Sequence, residues 1–238
     1  DGTLEIVKKA ITVTADNKEV VYGDQEQELT YTVEEGALVG EDTKADLGVT
    51  LKREEGSNVG TYKITAKEIV STNYDVTVTP GVYTITKKAV TVTADNKTSV
   101  YGDTFENLTI SIPEGTLVGD DTKEALGVTL QKEAGSNVGT YAITAKEIVS
   151  TNYDVTVTPG VYTINRKQVT VTAQNKEKVY GQVDPELKAT VEGLIGEDTI
   201  EYTLARESGE NVGTYTITAT GDVEQGNYAV SYNTGKLT

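Results

Sequence analysis

The side chains that most often run enzyme chemistry are missing from this chain. It contains no His and no Cys. A Ser-His-Asp or Cys-His arrangement therefore cannot be assembled. Nor can a thiolate or imidazole site for zinc, copper or haem iron. No Gly-rich phosphate loop of the Walker or Rossmann type is present. Oxygen, amine and phenol chemistry remain. Two carboxylates could hydrolyse a glycoside, but the acids here are spread over near-copies of one small block with no sign of a large cleft.

Calcium is the metal that such ligands could take, because it binds oxygen. Its candidates are Glu41-Asp42, Asp120-Asp121 and Glu197-Asp198, each preceded by Gly and followed by Thr. No Asp-x-Asp-x-Asp-Gly loop accompanies them, and a solvated acidic turn explains the same residues. Lys18, Lys97 and Lys176 recur, as do Asn73, Asn152 and Asn227. A Lys amine and an Asn carboxamide can condense to an isopeptide with loss of ammonia if a carboxylate assists. No acid is placed for this in all three copies, and Asn-Lys is also an ordinary turn. Tyr stacks on sugars and hydrogen-bonds to them, yet Tyr22, Tyr62, Tyr74 and Tyr83 fall at strand positions where core packing accounts for them. The expectation is no catalytic, cofactor-binding or metal-ligating residue and no cofactor, with calcium as the alternative.

The elements that must position these residues are read from repetition, which comes before any local pattern. Val21-Tyr22-Gly23 returns as Val100-Tyr101-Gly102 and Val179-Tyr180-Gly181, a step of 79 residues each time. Gly56 to Ile85 and Gly135 to Ile164 differ only at Lys63/Ala142. The third copy has drifted but keeps Asn211-Val212-Gly213-Thr214-Tyr215 and Asn227-Tyr228. Each unit can bury a small core of its own. The expected domains are 9–87, 88–166 and 167–238. Residues 1–8 read as the closing strand of a preceding unit, and the last strand of the third domain reads as cut short, as in a piece of a longer array.

Met and Trp are absent and Phe occurs once, so Tyr, Val, Ile and Leu supply the bulk. Thr, Val and Tyr favour strands. The formal charge of −16 argues against nucleic acid as a partner and against an anionic membrane surface. It favours solubility and mutual repulsion, hence a monomer. No apolar run approaches the roughly 18 residues of a membrane span.

Within the first unit, Ile11 to Ala15 and Leu29 to Val33 alternate apolar and polar, as half-buried strands do. Short strands at Val20 to Tyr22, Val49 to Leu51, Thr61 to Ala66, Tyr74 to Val78 and Val82 to Thr86 bring the number to about seven. Turn signals separate them, which points to an all-β sandwich or barrel. Thr43 to Gly48 could form one helical turn. The third unit keeps only Ile200 and Glu201 between Thr199 and Tyr202. The turn therefore reads as an optional insert, which favours a sandwich over a β-grasp fold. Asn58-x-Gly60-x-Tyr62 admits two readings: a tyrosine corner of the immunoglobulin-like kind, or a buried Tyr on any strand after a Gly turn. Three immunoglobulin-like β-sandwiches in tandem are the expected architecture, with β-grasp-like units as the alternative.

At the junction, Tyr83 and Ile85 are odd-numbered and Val90 and Val92 even, so the alternation slips at Lys87-Lys88. Arg166-Lys167 repeats the slip. With strand on both sides and no Gly, Pro or Ser spacer, the linker is no flexible coil. An end-to-end rod is expected.

Val-Tyr-Gly-Asp, then Asn-Val-Gly-Thr-Tyr-x-Ile-Thr-Ala, then Asn-Tyr, then Gly-x-Tyr-Thr-Ile resembles the MBG domain (YGX type) of bacterial extracellular proteins, three times over. Gly181-Gln182 departs from it where Asp is frequent. The resemblance implies a secreted, cell-surface setting in large adhesin-like proteins and brings no catalytic residues. The chain is thus expected to be a non-catalytic stalk segment whose partners are its neighbouring repeats. The alternative is a repeated adhesive module that binds host glycan or protein weakly and gains by repetition.

Overall fold

The computed structural model describes residues 2–238. In the first repeat the order is β1 (Lys9–Ala15), β2 (Lys18–Val21), β3 (Tyr31–Val33), one 3-10 turn (Lys44–Leu47), β4 (Val49–Arg53), β5 (Gly60–Ile69), β6 (Tyr74–Thr79) and β7 (Gly81–Thr86). Alternation sets the faces: β1 buries Ile11, Val13 and Ala15 and exposes Thr12 and Thr14. The strands form two sheets, β3-β1-β6 and β2-β7-β5-β4. β1 runs parallel to β6 and β2 parallel to β7. The chain therefore changes sheet at Asp16-Asn17 and again at Pro80. Asn17 stitches the two crossings together, its side-chain oxygen accepting the Val82 N–H at 2.8 Å.

Two small cores result. One gathers Ile11, Val13, Leu47, Tyr74 and Val76, the other Ala15, Ile64, Tyr83 and Ile85. Each fully buried side chain of this size contributes about 1.5–3 kcal/mol, so Tyr does the filling that Phe and Trp do elsewhere.

The second repeat repeats the plan with β8 (Lys88–Ala94), β9 (Lys97–Val100), β10 (Ile110–Ser111), β11 (Val128–Lys132), β12 (Gly139–Ile148), β13 (Tyr153–Thr158) and β14 (Gly160–Asn165). Its sheets are β10-β8-β13 and β11-β12-β14-β9. The third has β15 (Lys167–Ala173), β16 (Ala189–Glu192), β17 (Thr203–Arg206), β18 (Tyr215–Thr220), β19 (Glu224–Gln225), β20 (Tyr228–Asn233) and β21 (Gly235–Leu237). Its sheets are β16-β15-β20-β19 and β17-β18-β21. The counterpart of β2 is there reduced to a single bridge, Lys176 to Leu237.

The molecule is all-β, three tandem two-sheet sandwiches, with no α-helix among the described residues. The helical turn corrects the sequence reading in one respect. Where present it is more than an insert, because Leu47 and Leu126 are fully buried. The third repeat does without it by other means. Ile200 and Tyr202 pack on the core there, and Gln225 exchanges hydrogen bonds of 2.7 and 2.8 Å with the Glu201 backbone.

Gly2 to Lys8, expected as a closing strand, contain no strand, and Leu4 and Ile6 are each 90% exposed. In the first two repeats the closing strand lies between neighbours. Among the described residues no strand offers Gly2 to Lys8 such a place.

The chain divides into two compact units. The first runs up to Val92 and adds Ile112–Thr129 and Lys146–Val157; the second holds Thr93–Ser111, Leu130–Ala145 and Thr158–Thr238. The division passes through the second repeat. The side-chain contacts between the first and second repeats described below fall inside the first unit. Those between the second and third fall inside the second.

Candidate functional site

The candidate site is the seam between consecutive repeats, and it begins with one turn. Tyr62 donates its hydroxyl to the Asn58 carbonyl at 2.7 Å, Tyr141 to Asn137 at 2.7 Å and Tyr215 to Asn211 at 2.8 Å. Of the two readings open for this Tyr, the geometry is the corner. A cation braces each ring: Arg53 lies 5.2 Å from the Tyr62 centroid, Lys132 4.0 Å from Tyr141 and Arg206 5.6 Å from Tyr215. Each cation also donates to the carbonyl of the following Glu, which fastens the turn. The turn thereby presents Asn58-Val59 and Asn137-Val138 to the next repeat.

Across the first seam, Asn152 accepts the Val59 N–H at 3.0 Å and donates to the Asn58 side-chain oxygen at 2.9 Å. Tyr22 donates to Asp121 Oδ2 at 3.0 Å, and Tyr153 donates to the same oxygen at 2.5 Å. The two rings meet edge to face, 5.5 Å apart at 82°. Gly23 sits at φ +85, and a Cβ there would run into the Val118 side chain.

The second seam copies the first. Asn227 accepts from the Val138 N–H at 2.8 Å and donates to Asn137 at 3.0 Å. Tyr101 and Tyr228 donate to Asp198 at 3.1 and 2.5 Å, their rings 5.6 Å apart at 83°. Gly102, also at φ +85, faces Ile195.

The electrostatics follow from neutral phenols meeting a carboxylate. Burial, then the Asp121 hydrogen bond, push the Tyr153 hydroxyl up to about 12. Burial and Asp121 also raise Tyr22, and burial and Asp198 raise Tyr228. Hydrogen bonds to a charged acceptor are roughly twice as strong as neutral ones. The arrangement can hold two repeats together; it offers no activated nucleophile.

The family model of the MBG domain (YGX type) matches residues 11–84, 90–163 and 169–238. The chain belongs to the MBG domain (YGX type) family. No curated protein matches the sequence. Among solved structures, Drosophila N-cadherin EC1-3 aligns over 98% of this chain and 98% of its own at 11% identity, with a TM-score of 0.26. A likeness that low carries no argument. In each of the first two MBG repeats the Tyr-Gly pair is the seam pair.

The residues singled out from sequence are placed differently from one another. Asp121 and Asp198 each accept from two tyrosines, and Asp42 accepts from Tyr74 at 2.6 Å. The second acid of each pair therefore serves a phenol, and among the described residues no three His, Cys, Asp or Glu are grouped to hold a metal. Lys18, Lys97 and Lys176 stand beside the closing strands, opposite Tyr83, Tyr162 and Leu237. Asn73, Asn152 and Asn227 precede β6, β13 and β20 in the other sheet, and Asn152 and Asn227 are engaged across the seam with Val59 and Val138. Tyr74 and Tyr83 are buried as expected, whereas Tyr22 reaches the next repeat.

Sequence reasoning missed this partnership. Tyr-Gly, Asn-Tyr and Gly-x-Asp-Thr all recur, but nothing in the recurrence marks that the first belongs to one MBG repeat and the other two to its successor.

Proposed function

We propose that this MBG array is a non-catalytic spacer in a bacterial surface adhesin, a stiff rod holding a distal binding domain away from the cell. MBG repeats typically occur in extracellular surface proteins, which supports the setting. One observation carries the reading: the tyrosines common to the first two repeats, with Asp121 and Asn152, are engaged in folding or in the seam. Tyr62 closes a turn, Tyr74 and Tyr83 fill cores, and Tyr22, Asp121 and Asn152 join two repeats. A repeated adhesive module would gain from an exposed aromatic set common to its units, and the shared tyrosines of the first two repeats are buried or half-buried instead. The partners in this reading are neighbouring repeats, with nucleic acid and membrane left out by charge. No helix among the described residues is long and apolar enough to cross a membrane.

Small-angle X-ray scattering tests this. A rod gives a cross-sectional Guinier region and a long maximum dimension that does not shorten with salt. A compact or freely jointed scattering profile would overturn the proposal.

A further inference from the structure

Two tyrosines from different repeats meet on one carboxylate oxygen, and they do so twice. At the first seam Tyr22 and Tyr153 both donate to Asp121 Oδ2, at 3.0 and 2.5 Å. At the second, Tyr101 and Tyr228 both donate to Asp198 Oδ2, at 3.1 and 2.5 Å. The ring centroids lie 5.5 and 5.6 Å apart. Packing alone asks only for the edge-to-face contact. A shared acceptor does more. It brings both hydroxyl ends to one point, and with them the ring carbons ortho to each hydroxyl.

Those carbons are where two phenoxyl radicals join. Burial, then the Asp hydrogen bonds, raise the Tyr22, Tyr153 and Tyr228 hydroxyls and keep them neutral. Loss of an electron therefore goes with loss of the phenolic proton. Asp121 and Asp198 stand at hydrogen-bond distance to take that proton. Both acids are half-buried, so water can carry it away. Tyr22 and Tyr101 are half-buried too, open enough to be oxidised from solvent. Tyr153 and Tyr228 are buried, which shields their radicals from other partners.

We propose that each seam is a site of oxidative tyrosine coupling, in which a one-electron oxidant of the peroxidase class links Tyr22 to Tyr153 and Tyr101 to Tyr228 as dityrosine. Each tyrosine gives one electron to the oxidant and its phenolic proton to the shared carboxylate. The half-buried ring turns, and the two radicals form one Cε–Cε bond. The hydrogen on each bonded carbon then moves to its own oxygen, which restores both phenols. Hydrogen peroxide takes up the two electrons and two protons and becomes two waters. The bond fastens consecutive repeats covalently, a role no disulfide can fill in a chain without Cys. The inference rests on the seam geometry and stands apart from the spacer reading.

The test is oxidation of the dilute full chain with a peroxidase and hydrogen peroxide. Blue dityrosine fluorescence should appear in the monomer, and the intact mass should fall by two hydrogen atoms per bond. Digestion should yield linked peptides that join Tyr22 to Tyr153 and Tyr101 to Tyr228. Tyr22→Phe should abolish the first link and keep the second, and Tyr101→Phe the reverse, with folding checked by circular dichroism. Asp121→Asn keeps an acceptor for both phenols but takes up no proton. Its first link should form several-fold more slowly, with the second link as internal reference. In urea the paired rings separate, and the yield within one chain should drop about tenfold or more. Links that favour other tyrosines overturn the proposal. So does fluorescence undiminished when both Tyr22→Phe and Tyr101→Phe are present, an unchanged yield in urea, or Asp121→Asn coupling at the parent rate. Scattering from the unoxidised chain judges the spacer reading separately.

Discussion

Tyr22 and Asp121 lie 99 residues apart in the chain and share a hydrogen bond of 3.0 Å. Asp121 belongs to the second repeat, where it also holds Tyr153. One carboxylate thus serves its own core and its neighbour at once.

Tyr22→Phe should cost about 1 kcal/mol, the net worth of one hydrogen bond. Asp121→Ala should cost more, about 1–3 kcal/mol, because it strands two phenols. Asp42→Ala, which strands Tyr74 alone, is the control and should cost less. A double-mutant cycle of Tyr22→Phe with Asp121→Ala should show coupling of at least about 0.5 kcal/mol. Amide exchange of Val59 is the readout, since that N–H is held across the seam. Strict additivity would mean that the hydrogen bond does not couple the repeats.

The seam should fail in alkali. The folded-state value for Tyr153, about 12, lies above the ordinary value of 10.0, so folding favours the neutral phenol. That contribution is complete below pH 10 and disappears as pH rises through 12. Tyr22 and Tyr228 shift the same way. Phenolate absorbance should show a late-titrating class, and protection at Val59 and Val138 should fall with it. Uniform titration near pH 10 would remove the electrostatic account.

Much of the fold was legible because each strand writes its own face. Ile11, Val13 and Ala15 alternate with threonines, and that alternation needs no partner to be read. The phase slip at Lys87 was also visible: β7 ends at Thr86 and β8 starts at Lys88. The seam was not legible, because Tyr22 on a strand has the same local pattern whether it points into its own core or at another repeat. The turn from Thr43 to Gly48, which buries Leu47, reads as optional from sequence for a related reason. Its loss from the third repeat looked like dispensability, while Ile200 and Tyr202 had taken over the packing.

The Tyr-Gly glycine should matter through its neighbour. Gly102 and Gly181 have φ of +85 and +84, so alanine at either carries a left-handed penalty of about 1–2 kcal/mol. Only Gly102 faces Ile195. Gly102→Ala should therefore cost a further 1–3 kcal/mol or so through overpacking, while Gly181→Ala carries the backbone penalty alone. The difference in urea midpoint between the two variants, at constant m, measures the seam. Equal effects would show that the glycine serves the turn only.

The asparagine before each core Tyr offers a comparison of the same kind. Asn227 holds the Val138 N–H at 2.8 Å and the Asn137 side chain at 3.0 Å, whereas the Asn73 side chain is exposed. Asn227→Ala leaves the Val138 N–H without its acceptor, at a cost of about 1–3 kcal/mol. Asn73→Ala should fall within about 0.5 kcal/mol, as exposed substitutions do. The tyrosine corner makes a further link testable, because Tyr141 fixes the Asn137 carbonyl from behind. Tyr141→Phe should loosen that turn and reduce protection at Val138, though Tyr141 forms no hydrogen bond with the third repeat itself. Loss of protection with Asn227→Ala but none with Tyr141→Phe would mean that the turn holds its shape without the corner. Loss with both would make the corner a positioning device for the seam.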